Sequence, residues 1–549
     1  MIDIVPLIKR WEKLSADKSS WNHHWDDLAR VMLPRRLGFS QTTIDGESRT
    51  EDIFDGTPMQ AARGLANAVG GILRPQGLPE VEMKTDDDAL SNMEEVKEWL
   101  GDSEERLKSG FNNPKARFRQ ASGEIDQDLV VFGTANMFIG EGAQNNRLLF
   151  QSVHLKDATV FFNEEGVPEG MFRKRSMPVR QLEARFNVNK LSEKSRELAQ
   201  KDQDKKIDVL HVVIPRKTAR KNPLFAKDLP IGDYWIEIDA KHLISEGGFH
   251  EFPFIVPRWD TSSGEDYGRS PGMIALPDSE TLQSMGETIL IAGQRAADPP
   301  LAVPNDGTFD AINTFPGGLA YYDVETATQL RGNPFFTIDS GTNLPIARDM
   351  QMDTRQQIWA AFFRNILNLP VDGPEMTATE VIQRKEEFIR EIGPVFGRME
   401  TDYTAPMVER AFMVMLRAGA FAPIPKVLQG QNIRFEYDSP VIRIRRQIEA
   451  SATRLWIGEQ IEVANSTQRI EILDNINFDE SARFSHGALG IPKKILNSED
   501  VVANIRQARM QAMAAQQEAA TLQAGMEAAK VGSEIDATAA KAAQLERPA

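Results

Sequence analysis

Short runs of β-branched and aromatic residues fill positions 136–260 of the chain, and helical patterns stand on both sides of them. Gly, Pro, Asn and Asp separate the runs, so each run predicts a short strand. Two short helical patterns, over 178–186 and 190–200, interrupt the strands. A chain in which helices come first and strands follow is typical of an α+β fold with an antiparallel sheet. We therefore predict a predominantly helical α+β fold with its sheet in this block.

The residues before this block are predicted to be mainly helical. Apolar residues recur at helical spacing from Ile4 to Met32, and Pro34 ends the pattern. Thr57 is predicted to cap a second helix, with Pro58 at its first position, where the missing N–H has no partner to lose. The predicted elements in this part are helices over 4–32, 57–73, 88–110 and 115–132 and a strand over 81–84.

Two later helical patterns enclose an irregular acidic segment. They cover 277–297 and 346–369, and a helix of about 20 residues is ~30 Å long. The segment between them, 298–345, holds six acidic residues and a single basic one, Arg331, and its pattern predicts loops and short strands. We therefore predict a helical hairpin with a small acidic cap at its tip.

The rest of the chain is predicted to be mainly helical. A polar loop, 370–376, precedes Thr377 and Glu380, which fit a capping box, and the helical pattern continues to about Gly419. Gly393 and Pro394 lie inside this pattern and predict a kink, because proline removes a backbone hydrogen bond there. The predicted elements that follow are a strand over 433–437, a helix over 443–464 and an alanine-rich, helix-prone tail over 501–549.

Composition excludes several classes of protein. The 549 residues include no cysteine, which excludes disulfides, thiolate catalysis and thiolate metal sites. No run of ~18 uncharged apolar residues occurs, and the start is charged too early for a secretory signal, so we expect no membrane span. The formal net charge is −16. Because cations supply most of the affinity of a protein for DNA, such a chain is expected to enclose DNA loosely rather than grip it.

The motif search predicts no enzyme, no metal and no cofactor. Gly268–Gly272 fits the GxSxG elbow of serine hydrolases, but the oxyanion hole there needs the N–H that Pro271 lacks. Ser270 is therefore predicted to lie in a turn that leads into a helix. The dipeptide Gly-Lys, which a phosphate-binding P-loop requires, is absent, and no two of the seven histidines have helical metal-site spacing.

Three basic clusters leave their role open. They could contact phosphates, guard the edge strands of sheets or pair with acidic groups of another subunit. The clusters are Arg173–Arg175, Arg216–Lys221 and Arg443–Arg446.

Several blocks, taken in order along the chain, resemble the head-to-tail connecting (portal) protein of short-tailed bacteriophages. Each block is weakly specific by itself, and their common order carries the resemblance, which fades after about residue 510. The blocks are WDDLARVMLP at 25–34, IFDGTPMQAARGL at 53–65, RW at 258–259 with YGRSP at 267–271, ADPP at 297–300, MTATEVIQR at 376–384, GP at 393–394, YDSP at 437–440 and IPKKILNSEDV at 491–501.

The resemblance implies a portal-type ring subunit with wing, stem, clip and crown. Such a ring, usually of twelve subunits, lies at the head-to-tail vertex of the virion, conducts double-stranded genomic DNA during packaging and ejection, and is assembled in the host cytoplasm. It implies as partners the terminase packaging ATPase, a tail adaptor, and capsid and scaffolding proteins. The implied parts are a wing over 1–268, stem helices over 269–297 and 346–369, a clip over 298–345, a tunnel loop over 370–376, a kinked wing helix with the following strand and helix over 377–465, and a crown over 466–549.

Charged residues in these parts are candidates for the functional surfaces. Glu280 and Glu287 are seven residues apart on one stem helix, as are Arg348 and Arg355 on the other, so either pair could face DNA or pair between subunits. The tunnel-loop candidates for the DNA channel are Asp372 and Glu375, and the clip-surface candidates are Asp306, Asp310, Asp323, Glu325 and Asp339. Two alternatives remain open: a capsid or scaffold protein without a channel, and a serine hydrolase.

Overall fold

The computed structural model of the chain contains two units, residues 1–442 and residues 443–549, which are described separately below. The described residues are 3–41, 44, 46–74, 78–79, 81–91, 93–142, 148–217, 225–298, 301–305, 319–323, 336–337, 344–364, 390, 393–437, 440–489, 495–497, 501–517, 526, 530, 535 and 537–539.

Six helices form the N-terminal part of the first unit. The second, third, fifth and sixth contribute to a core in which Trp25, Leu28, Ile125 and Leu129 are fully buried, whereas the first packs through Leu7 and Ile8 on the strand-rich block. This apolar burial is the main stabilising contribution to this part of the fold. The helices are α1 (Val5–Asp17), α2 (Ser19–Met32), α3 (Thr57–Leu73), α4 (Asp88–Ser91), α5 (Glu94–Asn112) and α6 (Phe118–Phe132).

Two predicted helices of this part are each divided into two. The helix predicted over 4–32 breaks at Lys18, whose buried side-chain nitrogen donates hydrogen bonds to the carbonyl oxygens of Leu155 and Ala158. The periodicity of the apolar residues could not predict this break, because it depends on a buried polar side chain and on carbonyl oxygens about 140 residues away. The helix predicted over 88–110 is interrupted between α4 and α5.

The strand-rich block forms antiparallel sheets, as predicted. One sheet has five strands in chain order: β4 (Ala158–Phe162), β5 (Pro168–Pro178), β6 (Lys206–Pro215), β7 (Ile231–Glu237) and β8 (His242–Phe249). The other has the order β3-β2-β9, with β2 at Met137–Glu141, β3 at Leu148–Ser152 and β9 at Phe254–Ile255. The two predicted short helices are α7 (Val179–Phe186) and α8 (Glu193–Lys201), and they cover part of one face of the larger sheet.

Strand β8 was not among the predicted strands, because its Glu-Gly-Gly sequence is more typical of a loop. Gly248 is needed there, since a Cβ at this position would lie 2.4 Å from the carbonyl oxygen of Ala226. A glycine in a strand often marks such a close approach of two backbones.

The predicted strand over 433–437 is present as β13 (Ile433–Tyr437), and it pairs antiparallel with β1 (Val81–Thr85). The pair begins with Val81 opposite Tyr437 and ends with Thr85 opposite Ile433. This two-stranded sheet therefore joins the N-terminal helical part to the last element of the first unit.

Two long helices correspond to the predicted hairpin, but their bounds differ from the prediction. Helix α9 (Pro271–Ala297) begins six residues earlier than the apolar pattern. Helix α10 (Leu344–Ala361) is followed by a turn at 362–363, Arg364 is again helical, and the rest of the predicted helix, 365–369, lies outside the described residues. Phe363, at φ 57°, adopts the left-handed conformation that ends helices. Within the intervening segment the structure describes β10 (Leu301–Asn305), β11 (Leu319–Asp323) and β12 (Phe336–Thr337), which pair in the order β11-β10-β12.

Of the predicted kinked helix, 377 to about 419, the structure describes residues 390 and 393–419, and among these 390 and 393–417 are helical. Residues 391 and 392 lie outside the described residues, so the kink at Gly393 and Pro394 stays a prediction, and so does the capping box at Thr377 and Glu380. The structure instead reveals a π-helical turn at Glu400–Thr404, directly before α11 (Ala405–Arg417). Pro406 lacks the N–H that would bond to Asp402, which favours a wider turn there.

The second unit is helical wherever its elements are described. Helix α12 (Pro440–Thr467) enters it from the first unit and is longer than the predicted helix over 443–464. A 3₁₀ segment (Ile470–Asn475), helix α13 (Phe478–Ala488) and helical residues 501–517 follow. No helix among the described residues of either unit has both the length and the apolar composition that crossing a bilayer requires.

Candidate functional site

Helices α9 and α10 pack side by side as an antiparallel pair. Thr354 Oγ1 lies 4.0 Å from Met285 Sδ, and a Cβ on Gly286 would lie 3.8 Å from Gln351 Nε2. The last buried residue of α9 is Gln283, and the first buried residue of α10 is Gln351. Each helix therefore has one half anchored in the core of the unit and one half, 284–297 or 344–350, that lies outside it.

The outer halves expose apolar side chains to solvent. Leu290 is 53% exposed and Ile291 39% on α9, and Ile346 is 56% exposed and Met350 53% on α10. Since the two helices run antiparallel, these side chains lie along the same portion of the pair. An exposed apolar patch of this kind marks a surface that contacts another protein.

The anchored halves are held by a cluster of polar contacts around Asp55. The side-chain amide of Gln283 accepts hydrogen bonds from the N–H groups of Phe54 (2.8 Å) and Asp55 (2.9 Å) and donates one to the Asp55 carbonyl (2.8 Å). Arg355 donates from Nε to Asp55 Oδ2 at 2.9 Å, and its terminal nitrogen lies 2.7 Å from the same oxygen. One short loop therefore contacts both long helices, and we call Asp55, Gln283 and Arg355 the Asp55 clamp.

Asp55 also caps helix α3, which corrects the prediction that Thr57 is the N-cap. The helix begins at Thr57 with Gly56 in the cap position, and Asp55 Oδ1 accepts the N–H of Thr57 at 2.8 Å. Burial by itself raises the pKa of Asp55, but the hydrogen bonds from Thr57 and Arg355 outweigh it, so the net pKa is lowered. The carboxylate is thus ionised and ties α3 to α10.

The four charged stem candidates divide into two kinds. Arg355 forms an ion pair with Asp55, and Glu280 forms one with Arg30 of α2, whose terminal nitrogen lies 3.0 Å from Glu280 Oε1. Glu287 and Arg348 are exposed, and neither has a hydrogen bond or ion pair with any residue that the structure describes. Both members of each pair lie on one helix at the predicted spacing, but of the four only Glu287 and Arg348 have no partner within the part of the chain that the structure describes.

Most of the remaining candidates lie outside the described residues. This holds for Asp372 and Glu375 of the predicted tunnel loop and for Asp306, Asp310, Glu325 and Asp339 of the predicted clip. Asp323 is the last residue of β11, where it is paired in register with Asn305 of β10. The assignment of these residues to functional surfaces therefore stays a prediction.

Ser270 is the N-cap of α9, as a turn leading into a helix predicts. Its Oγ accepts the N–H of Met273 at 3.0 Å and donates to the carbonyl oxygen of Val131 at 2.7 Å. The side chain is 2% exposed. A buried hydroxyl that already makes both hydrogen bonds is poorly placed to act as a nucleophile.

Sequence reasoning missed Asp55 and Arg30 as partners of the two long helices, and Gln283 as the residue of α9 that contacts Asp55. Asp55 and Arg355 are 300 residues apart, and so their pairing leaves no periodic signal. The available signal was the compact sequence IFDGTP at 53–58, in which an Asp two residues before the helix start is typical of a capping turn.

Comparison with known proteins gives matches along most of the chain. The family model described as "Bacteriophage head to tail connecting protein" matches residues 6–496. The chain is 28% identical over 534 residues to the "Probable portal protein" of Bordetella phage BPP-1, covering 96% of this chain and 95% of that protein. It is 26% identical over 537 residues to the "Portal protein" of Salmonella phage epsilon15, with the same two coverages. A solved chain from the "Virion of native gene transfer agent (GTA) particle" aligns at 11% identity and a TM-score of 0.34, covering 78% of this chain and 94% of that chain.

Proposed function

Because the chain belongs to the bacteriophage head-to-tail connecting protein family, we propose that its copies close into a ring, of twelve subunits, around an axial channel for double-stranded DNA. The role as a head-to-tail connector follows from the family and from the portal-protein relatives. The ring at one vertex of the virion, the packaging and ejection of DNA through it, and its assembly in the host cytoplasm are the proposal.

The observation that carries the proposal is the exposed apolar surface on the outer halves of α9 and α10. In an isolated subunit Leu290, Ile346 and Met350 would remain in water. In a ring, one face of each helix pair meets a different face of the next pair, which buries these side chains at every interface. Full burial of one such side chain is worth about 1.5–3 kcal/mol, and the gain is repeated around the ring.

We assign the channel lining first to Glu287 and Arg348. Neither residue has a hydrogen-bond or ion-pair partner among the described residues. Glu280 and Arg355, in contrast, form ion pairs with Arg30 and Asp55. Asp372 and Glu375 complete the proposed lining. The net charge of −16 per subunit suits a channel that must let DNA slide, because each phosphate neutralised by a cation would slow its passage.

We assign the segment 298–345 to the clip, where the packaging ATPase and the tail adaptor bind at different times. Its six acidic residues against one basic residue suit partners with basic surfaces. Capsid and scaffolding proteins are the remaining proposed partners. If a ring that lacks 298–345 binds the adaptor normally, this assignment is wrong.

The ring is tested by replacing the exposed apolar residues of the stem. The variant carries Leu290→Ser and Ile346→Ser, and the matched control carries Ile44→Ser and Phe225→Ser, two exposed apolar residues elsewhere in the first unit. We expect the wild type and the control to form rings with a central hole in negative-stain images, with a mass of about 740 kDa for twelve copies of 61.4 kDa. We expect the stem variant to remain a folded 61.4 kDa monomer by light scattering.

Other outcomes distinguish the alternatives. A wild type that stays monomeric under all assembly conditions, or that forms an annulus too narrow for a duplex, contradicts the ring. Sheets or shells without a hole would instead favour a capsid or scaffold protein. Labelling of Ser270 by a serine-hydrolase probe would favour an enzyme, which the buried and fully bonded hydroxyl argues against.

A further inference from the structure

Two arginines lie on an inner strand of the five-stranded sheet, where apolar residues are usual, and a third lies beside them on helix α7. Arg173 and Arg175 are on β5, which pairs with β4 on one side and β6 on the other. Because β5 is an inner strand, these residues cannot be guards of an exposed sheet edge. Side chains alternate along a strand, so Arg173 and Arg175 share one face, and Lys174 points to the other face, where it pairs with Asp208 at 2.8 Å.

The neighbours of the two arginines converge on the indole of Trp235. Arg173 is opposite His211 in the register, and His211 is opposite Trp235. The His211 and Trp235 rings are stacked with their centroids 4.3 Å apart. Arg185, from α7, places its guanidinium carbon 4.3 Å from the centre of the same indole, and Arg175 places its own at 5.9 Å. Two guanidinium groups therefore lie beside one aromatic side chain, and Arg173 shares their face of the sheet next to the stacked His211.

The cluster has more positive than negative charge. The carboxylates near it are Asp157 and Asp233, and Asp233 Oδ1 is 2.8 Å from His211 Nε2. Within the described residues, Arg173, Arg175 and Arg185 form no ion pair. Other arginines of the same unit do: the half-buried Arg36 has its Nε 2.9 Å from Asp128, and the buried Arg74 pairs with Asp126.

Arg173 has the least favourable surroundings of the three. Arg173 is only 9% exposed, and its Nε has no hydrogen-bond partner within the described residues. Burial, together with repulsion by Arg175 and Arg185, lowers the pKa of Arg173 to about 10. A buried cation without a paired anion is costly, so the arrangement is expected to be completed by an anion.

We propose that Arg173, Arg175 and Arg185 form a binding site for a phosphate group, either of inorganic phosphate or of a nucleic-acid backbone. Arginine forks bind phosphate oxygens through pairs of hydrogen bonds, and three of them match a tetrahedral group with several charged oxygens. Arg173 forms the buried base of the site. Arg175 is partly exposed and Arg185 is exposed, which leaves the site open to solvent on their side. This site is distinct from the stem surfaces of the proposed function.

The test uses inorganic phosphate and the full-length protein. The variant carries Arg175→Gln and Arg185→Gln and keeps the buried Arg173, so folding is preserved, and the control Lys174→Gln removes a charge from the opposite face of the same strand. Isothermal titration with phosphate at constant ionic strength is expected to show binding to the wild type and to the control. The double variant should bind about tenfold or more weakly for each arginine removed.

A second measurement, of melting temperatures, separates loss of the site from a general loss of stability, which would lower the melting temperature in every buffer. In chloride alone, the double variant should melt at the same temperature as the wild type or higher, because mutual repulsion has been relieved. In phosphate, the wild type and Lys174→Gln should gain thermal stability and the double variant should not. Equal phosphate affinity in all three proteins overturns the proposal, and so does equal stabilisation by phosphate.

The source of the phosphate is decided by a parallel titration with short duplex DNA. If the double variant loses DNA affinity and the control does not, the site binds the nucleic-acid backbone. If only inorganic phosphate binding is lost, the ligand is the free anion. If the double variant forms defective rings while no protein binds either probe, the cluster pairs with acidic groups of a neighbouring subunit and the phosphate site is wrong.

Discussion

A single lysine at the junction of α1 and α2 is surrounded by protein rather than water. Lys18 is 3% exposed, and its Nζ donates to the carbonyl oxygens of Leu155 and Ala158. Burial lowers its pKa from 10.5 to about 7, although Asp157 opposes the shift. The two hydrogen bonds match the two N–H groups of a neutral amine, so the uncharged form fits this place well.

Substitution of Lys18 by Met is predicted to remove a pH dependence of stability. Between pH 7 and pH 10.5 the unfolded chain binds a proton at Lys18 that the folded chain does not, so raising the pH stabilises the folded state. The free energy of unfolding of the wild type, relative to Lys18→Met, should rise by about 1 kcal/mol per pH unit in this window. Urea unfolding at pH 7, 8 and 9 measures it.

The control for this measurement is Lys9→Met, an exposed lysine on the same helix. It should parallel the wild type at every pH. The neighbouring His154 does not interfere, since burial and the charge of Arg36 lower its pKa to about 3. Parallel curves for the wild type and Lys18→Met would show that Lys18 is charged in the folded protein.

Two arginines on one helix are predicted to have separate effects when their charge is reversed. Arg355→Glu places a like charge beside Asp55 and should reduce the free energy of unfolding by about 1–2 kcal/mol, a modest value because the Arg355 side chain is 37% exposed. Arg348→Glu should leave thermal stability unchanged, within about 0.5 kcal/mol, and should alter the rate of DNA packaging or the retention of packaged DNA. Thermal unfolding and an in vitro packaging assay measure the two effects.

The same pair supplies its own control, since both substitutions change the charge of one subunit equally. Normal packaging and normal DNA retention in the Arg348→Glu ring would remove Arg348 from the channel. An unchanged melting temperature for Arg355→Glu would mean that the Asp55 clamp contributes nothing measurable to the anchoring of α10.

Local sequence patterns predicted most helices and strands, whereas long-range contacts decided which strands pair and which charged side chains form ion pairs. Four of the five strands of the larger sheet (β4 to β7), together with α7, α8 and β13, follow from composition and turn residues in short windows, whereas β8 does not. Three features depend on residues 100 to 300 or more positions away, which no short window contains. They are the pairing of β13 with β1, the break at Lys18 and the ion pair between Arg355 and Asp55. The spacing of Arg348 and Arg355 was correctly identified, but it could not reveal that one of them already has a carboxylate partner.

At the scale of the whole molecule, the pairing of β1 with β13 can be tested by a disulfide. The chain has no cysteine, so Lys84→Cys with Arg434→Cys, which are opposite each other in the register, creates a single possible cross-link. Directly opposite residues of an antiparallel pair have Cβ atoms about 4.5–5.5 Å apart, close to the range that a disulfide requires. Mild oxidation should therefore give a species whose gel mobility changes on reduction.

The matched control is Glu82→Cys with Arg434→Cys, which displaces one partner by two residues on the same face of the strand. Its Cβ atoms lie too far apart for efficient bonding. Equal cross-linking of both variants would contradict the register, and no cross-linking of either would contradict the pairing.

The β1–β13 pairing also has a consequence for how a nascent chain matures. Lys84 forms its ion pair with Glu436, 352 residues later, so β1 has no partner until the ribosome has released nearly the whole first unit. Closing so large a loop is entropically unfavourable and slow, and an unpaired strand edge invites aggregation in the meantime. Both long helices and the acidic segment between them are synthesised inside that interval. A prematurely terminated polypeptide would thus lack the closing strand, which would keep incomplete subunits from competing with finished ones during assembly.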